Sequence, residues 1–191
     1  MLILNEKHPQ KSSLEKLTQV ISPQEAQRAD IRAIRLGVLN LMPIMHQTEN
    51  DILKSIGHSI LQIEPIWLKI ASREKSGKNT PLEHINGFYQ TMGEATKQKN
   101  LDGLIITGSP LEFLDFEKVE YWDEMRKILD YARTNISSTM FLCWSAMAAA
   151  HHYYSAEKIL FPNKLSGVFG MDNIQGDDHP LTRGMNPRIY V

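Results

Sequence analysis

Residues 139–154 read TMFLCWSAMAAAHHYY, and the pattern changes partway along. Thr139 to Cys143 is a short apolar run suited to a strand, while Trp144 to Tyr154 is rich in small, helix-favouring residues and follows with almost no connecting loop. A strand that turns directly into a helix at a cysteine has the geometry of a nucleophile elbow. A thiol there faces the unpaired N–H groups and positive end of the helix, which draw it toward the thiolate and offer donors to a developing oxyanion. Small residues at Ser145, Ala146 and Ala148 let so tight a turn approach a sheet. The competing reading is an inert buried cysteine, since free cysteine is among the most buried residue types.

Working outward, similar units recur. Ile34 to Met42 reads as a buried strand and Thr48 to Ile56 as the helix after it; Ser59 to Ile70 is a strand region broken at Pro65; Leu101 to Thr107 is another short apolar strand. Val119, Trp122, Met125, Ile128, Leu129 and Ala132 recur at helical spacing, with Asp123 placed four residues before Lys127. Two capping signatures predict helix starts: Ser22-Pro23-Gln24-Glu25, and Thr80-Pro81 with Glu83. Residues 1–30 read as a polar N-terminal arm and 31–191 as one α/β domain. Continuous apolar strands alternating with helices predict a doubly wound, mostly parallel sheet covered on both faces. Ligands in such sheets sit outside the carboxyl ends of the strands, which singles out Pro43–Gln47, Gly108–Glu112 and Cys143–Ala146.

Composition removes several classes of function. Lys+Arg 21 against Asp+Glu 22, a net charge of −1, supplies no basic footprint for a phosphate backbone, so nucleic acid is not an expected partner. One cysteine forms no intrachain disulfide, which with the absence of a signal-peptide pattern predicts a cytoplasmic protein. The apolar run Met140–Ala150 falls well short of the ~20 residues of a membrane span. No Cys/His pair has zinc-ligand spacing, so no metal is expected. Gly108-Ser109-Pro110 lacks the lysine and further glycines of a phosphate loop and reads as a strand-end turn.

A thiolate nucleophile in acyl transfer needs a base, usually histidine. His151 and His152, eight and nine residues past Cys143, lie ~12 Å or more along the helix axis and read as helix-surface or packing residues. His46 follows the first strand on the ligand side and is the candidate base, against the reading of a solvated loop histidine. His179 reads as polar loop, and His58 and His84 sit beside predicted elements with nothing to pair them.

Several segments, taken together and in uninterrupted order, resemble the homoserine O-acyltransferases of the MetA type. They are Leu39-Asn40-Leu41-Met42-Pro43 with Thr48-Glu49; Asn79-Thr80-Pro81 with Glu83-His84 and Phe88-Tyr89; Asp102 to Gly108; Phe116 to Val119 with Tyr121-Trp122; Ser138-Thr139 with Cys143-Trp144; and Lys164 with Gly167-Val168-Phe169. The resemblance implies a fold like the class I glutamine amidotransferases and a ping-pong reaction of methionine biosynthesis. In it an acyl-CoA acylates Cys143, and the hydroxyl of L-homoserine takes the acyl group from the thioester. It further implies Lys164 as a contact to the amino-acid substrate, the backbone of Trp144 as an oxyanion donor, and Glu112 as the position that sets acyl-CoA preference. A buried carboxylate at Glu112 repels the succinyl carboxylate and tolerates a methyl, so acetyl-CoA is the expected co-substrate, with no cofactor. Without the family, Lys164 is an ordinary surface lysine and Glu112 an exposed charge at a helix entry. A homodimer is compatible with the family.

The departures are specific. Met45 stands where the family has a lysine, and Trp144-Ser145-Ala146-Met147 where it has Trp-Gly-Ala-Gln. The family's base histidine and its glutamate partner, in a His-x-Glu arrangement, belong beyond position 191, and the chain closes on the strand start Pro187–Val191. Three readings stay open at this point: a homoserine O-acetyltransferase lacking its C-terminal part, a divergent acyltransferase acting on serine or using succinyl-CoA, and an inactive remnant or binding module.

Overall fold

The computed structural model describes residues 1–29, 31–72, 79–163 and 165–191. It divides into two compact units, Met1–Lys158 and Ile159–Val191. In the first, the elements in chain order are β1 (Leu2–Ile3), α1 (Lys11–Leu14), β2 (Val20–Ile21), α2 (Pro23–Arg28), β3 (Ile34–Leu39), α3 (Met45–Gly57), β4 (Ile63–Lys69), α4 (Leu82–Phe88), β5 (Gln90–Thr91), α5 (Met92–Gln98), β6 (Gly103–Ile106), α6 (Trp122–Asn135), β7 (Ser138–Phe141) and α7 (Trp144–Tyr154). The second unit holds an antiparallel pair, β8 (Gly170–Asp172) with β9 (Arg188–Tyr190).

The strands of the first unit form one parallel sheet in the order β2-β1-β4-β3-β6-β7, with β5 paired to the end of β4. The chain lays β4 on one side of β3 and then crosses to lay β6 on the other. The order therefore reverses at β3, and in sheets of this kind the ligand crevice lies at such a switch point, here the carboxyl ends of β3 and β6. Side-chain alternation along the strands feeds two separate cores. Leu39, Leu68, Leu104 and Ile106 face a core completed by Met125, Ile128 and Leu129 of α6 and by Trp144 and Ala148 of α7. Val38 and Trp67 face the opposite way, onto Met45, Ile52 and Leu53 of α3, Leu14 of α1 and Ile85 of α4. Helices thus cover both faces, as the alternation of runs predicts.

The local predictions fare unevenly. Ser22 caps α2 in full: its Oγ accepts from Glu25 N at 3.2 Å, and Glu25 Oε2 accepts from Ser22 N at 2.7 Å. Thr80 does not cap α4, which starts at Leu82 without a side-chain cap. The buried Thr80 hydroxyl accepts instead from Met45 N, 3.1 Å away, at the first turn of α3. That helix consequently begins at Met45, three residues before the expected Thr48.

Pro65 does not break its strand; β4 runs through it, with Leu36 opposite. In a parallel ladder alternate residues bond to alternate sides. Ile63 N donates to Met1 O on the β1 side, so Pro65 faces that side too, and the β1–β4 pairing ends at Ile63. The proline sits where no ladder partner asks for its missing N–H.

The segment read as an N-terminal arm is part of the sheet, contributing β1 and β2 at one edge. Gln10 Nε2 also donates to His46 O at 2.6 Å, tying this segment to the start of α3. Asp123 pairs with Arg126 at 3.8 Å, not with Lys127.

Candidate active site

The turn from β7 into α7 is the elbow expected from the sequence. Cys143 has φ 56° and ψ −119°, a backbone conformation that residues with a Cβ seldom adopt, and α7 starts at the next residue. Its side chain is exposed, so the reading of an inert buried cysteine is set aside.

Ser145 holds this turn. It is fully buried, its Oγ accepts from Leu142 N at 2.9 Å, and it lies 2.7 Å from Ile106 O and 3.0 Å from Leu142 O as a donor. Ser145 therefore fastens the elbow to the end of β6. Trp144 is fully buried, its ring 6.0 Å from Phe116 and 6.2 Å from Tyr121. As the first residue of α7, its N–H lies outside the helical ladder.

Gly108, just past β6, lies against the elbow. A Cβ at this position would sit 3.0 Å from Cys143 Cβ and 3.4 Å from its Sγ, so a side chain here would press on the cysteine turn. Thr107 N donates to Leu39 O toward β3, while Ile106 O accepts from Leu142 N toward β7, so alternation turns the Gly108 backbone back toward β7 and the cysteine. Ser109 is held by the Tyr121 hydroxyl at 3.3 Å. The sequence placed Gly108 in a strand-end turn on the ligand side of the sheet without giving it a role of its own. Its signal was its position, one residue past an apolar strand in a parallel sheet.

The remaining predicted residues are distributed as follows. Glu112 lies in the loop after β6, at the same end of the sheet as Cys143, and is exposed; the buried carboxylate expected there is not found. The loop runs over the surface, with Phe113 beside it 80% exposed, so nothing covers the carboxylate within the described residues. His46 is the second residue of α3, with its backbone fixed by Gln10 and its ring exposed. Among the described residues, no hydrogen bond links a histidine to Cys143. Met45 is buried in the α3 core, where it makes no polar contribution to the crevice. Lys164 lies outside the described residues. His151 and His152 are used in packing, as expected: their Nε2 atoms lie 3.0 Å from Glu117 Oε1 and 2.6 Å from Asp130 Oδ1.

His84 is not unpaired. Its Nε2 is 2.8 Å from Oε1 of Glu49, a residue with no exposed surface, and Tyr89 Oη donates to the same oxygen at 2.6 Å. Burial, reinforced by the adjacent Glu49 carboxyl group, raises the Tyr89 hydroxyl far above its ordinary value and keeps it a donor. The Tyr89 oxygen in turn accepts from Asn40 Nδ2 at 2.9 Å, which also donates to Met45 O at 3.1 Å, while Asn40 Oδ1 accepts from Met42 N. Sequence reasoning missed this cluster, although the helical period already put Glu49 among Met45, Ile52 and Leu53 on the buried face of α3.

A cavity of about 840 Å³, lined by Arg32, Arg35, Glu64 and Lys99 among others, lies at the amino ends of β3 and β4, away from the thiol. Among the described residues no cluster of His, Cys, Asp and Glu could hold a metal ion, and no helix is long and apolar enough to cross a membrane.

Comparison with known proteins identifies the family. A family model described as homoserine O-succinyltransferase matches residues 1–191. The chain is 40% identical over 172 residues to a homoserine O-acetyltransferase of Bacteroides fragilis, covering 90% of this chain and 55% of that protein. It is 41% identical over 172 residues to a homoserine O-succinyltransferase of Shewanella amazonensis, covering 90% and 53%. It therefore spans about half the length of the curated relatives it matches. With an elbow cysteine at the carboxyl edge of a parallel sheet and a match along its whole length, the chain belongs to the homoserine O-succinyltransferase family.

Proposed function

We propose that this chain carries the acyl-loading site of a homoserine O-acyltransferase, with Cys143 as the acyl carrier. The observation behind this is the exposed thiol on a positive-φ turn at the head of α7, with Gly108 packed against it. The Cys143 thiolate attacks the thioester carbonyl of acetyl-CoA. The tetrahedral oxyanion is held by the N–H groups of Trp144 and Gly108 and collapses with loss of the CoA thiolate, which takes up a proton. The hydroxyl of L-homoserine then attacks the cysteinyl thioester, gives its proton to a base and releases the Cys143 thiolate, forming O-acetylhomoserine. Lys164 contacts the amino-acid substrate. His46 is the candidate base within this chain, and unchanged transfer in His46→Ala would remove it from that role. We infer also that the fold is of the class I glutamine amidotransferase type and that the protein works in the cytoplasm.

The choice of acetyl-CoA rests on Glu112. Its negative charge, in the loop beside the thiol end of the sheet, opposes the succinyl carboxylate and leaves a methyl indifferent. The relatives carry both names, so donor choice calls for direct measurement. The test loads the chain from acetyl-CoA, then adds L-homoserine or L-serine and follows the O-acyl product. Homoserine should be acylated in preference to serine, and Glu112→Gly should raise loading from succinyl-CoA at least tenfold relative to acetyl-CoA. Preferential acylation of serine would overturn the acceptor, and an unchanged donor ratio the role of Glu112.

A further inference from the structure

We propose that Glu49 is a positioning residue for the thiol site, acting through Tyr89 and Asn40 on the turn that follows β3. The inference rests on the reading of Cys143 as the acyl carrier. Glu49 serves no step of the proposed chemistry, yet it is completely buried on α3. A carboxyl group taken out of water is costly unless its contacts repay the loss; here the contacts come from side chains of α4 and the residue after it and reach Oε1, while Oε2 has no hydrogen-bond partner among the described residues. His84 and Tyr89 both converge on Oε1.

From there the contacts run unbroken to the cysteine. Tyr89 accepts from Asn40, and Asn40 closes the turn over residues 40–45 by donating to Met45 O and accepting from Met42 N at 3.2 Å. Leu41 N, within that turn, donates to Thr107 Oγ1 at 2.8 Å, and the same hydroxyl donates to Gly108 O at 3.2 Å. Gly108 is the residue packed against Cys143. Glu49 thereby fixes the crevice wall opposite the elbow, at the place where strand order reverses. Ring contacts flank the cluster, His84 lying 5.0 Å from Phe88 and His8 5.3 Å from the same ring.

The test compares the chain with Glu49→Gln, which keeps shape, and Tyr89→Phe, which removes the hydroxyl from the middle of the path. Amide hydrogen exchange at Leu41 and Met45 should quicken at least tenfold in both, while Met125 and Leu129 of α6 keep their protection. Loading of Cys143 from acetyl-CoA should fall at least tenfold, while alkylation of the same thiol by iodoacetamide stays within twofold. Unchanged exchange at Leu41 and Met45 would overturn the proposal. A rise shared equally by α6 would also overturn it, since that is what loss of general stability produces. A wild-type chain that takes no acyl group from acetyl-CoA or succinyl-CoA, with the local exchange pattern intact, would sink the acyl-transfer reading and leave Glu49 as the organiser of this turn.

Discussion

The chain passes from strand to helix on either side of β6, after β3 and after β7, and the two junctions are built in opposite ways. After β3, residues 40–45 are tied down by the side chains of Asn40, Thr80 ahead of α4, Tyr89 just after it and Thr107 just after β6: Asn40 uses both amide hydrogens and its carbonyl, Thr107 takes Leu41 N, and Thr80 takes Met45 N. After β7, two residues suffice, one side chain, Ser145, fastens the turn, and the cysteine is left exposed on strained backbone. The contrast teaches a division of labour. A reactive thiol must be reachable and held at an unfavourable φ, so the strain of about 1–3 kcal/mol has to be sustained by rigid neighbours. The β3 junction, anchored by the buried Asn40 and Leu41, supplies that rigidity.

The sharpest way to break the contrast is to push the two sides of the crevice apart at Gly108. Gly108→Val places a branched Cβ within 3.0 Å of Cys143 Cβ. Thiol loading should fall about 100-fold, as expected for an ångström-scale misplacement of reacting groups, with rates read by mass spectrometry. Next in size is Asn40→Ala, which strips the rigid junction of its hub. Stability should fall by about 2–4 kcal/mol in urea unfolding, because buried partners are left unsatisfied. Ser145→Ala attacks the other junction and should cost less, about 1–3 kcal/mol, since one hydroxyl is lost. Its loading rate should drop by more than that of a variant of equal stability on α6, such as Ile128→Val.

The smallest effect concerns pH. Burial holds the His8 imidazole below its ordinary value of 6.5, with His84 adding to the depression and Glu49 opposing it. Between the depressed native value and 6.5 the unfolded chain binds more protons than the folded one, so stability falls as pH drops below about 6.5 and is flat above it. His8→Phe should flatten that slope, read from unfolding midpoints between pH 5 and 7.5.

What could be read from the sequence follows the range of the interactions. The Ser22 capping box was legible because all its partners lie within four residues, and the Cys143 elbow because the strand and helix meet at one residue. The α/β class with a mostly parallel sheet was legible because apolar strands of a parallel sheet are continuous in sequence. Thr80 misled because its partner, Met45, is 35 residues away and becomes adjacent only when α3 and α4 pack. Pro65 misled because its tolerance depends on where β1 stops pairing, a property of another strand. The closeness of Gly108 to Cys143 and the Glu49 cluster went unread for the same reason: each depends on residues of other elements. Glu112 was correctly placed past β6 but not correctly buried, since burial of a loop residue depends on what is folded over it.

The most direct test of the account is intact-protein mass spectrometry after mixing the chain with acetyl-CoA and, separately, with succinyl-CoA, alongside Cys143→Ala. The account predicts a mass gain of one acetyl group, absent in the variant, and little or no gain from succinyl-CoA. No adduct from either donor, on a thiol that iodoacetamide still alkylates, would contradict it and leave the exposed cysteine without acyl chemistry.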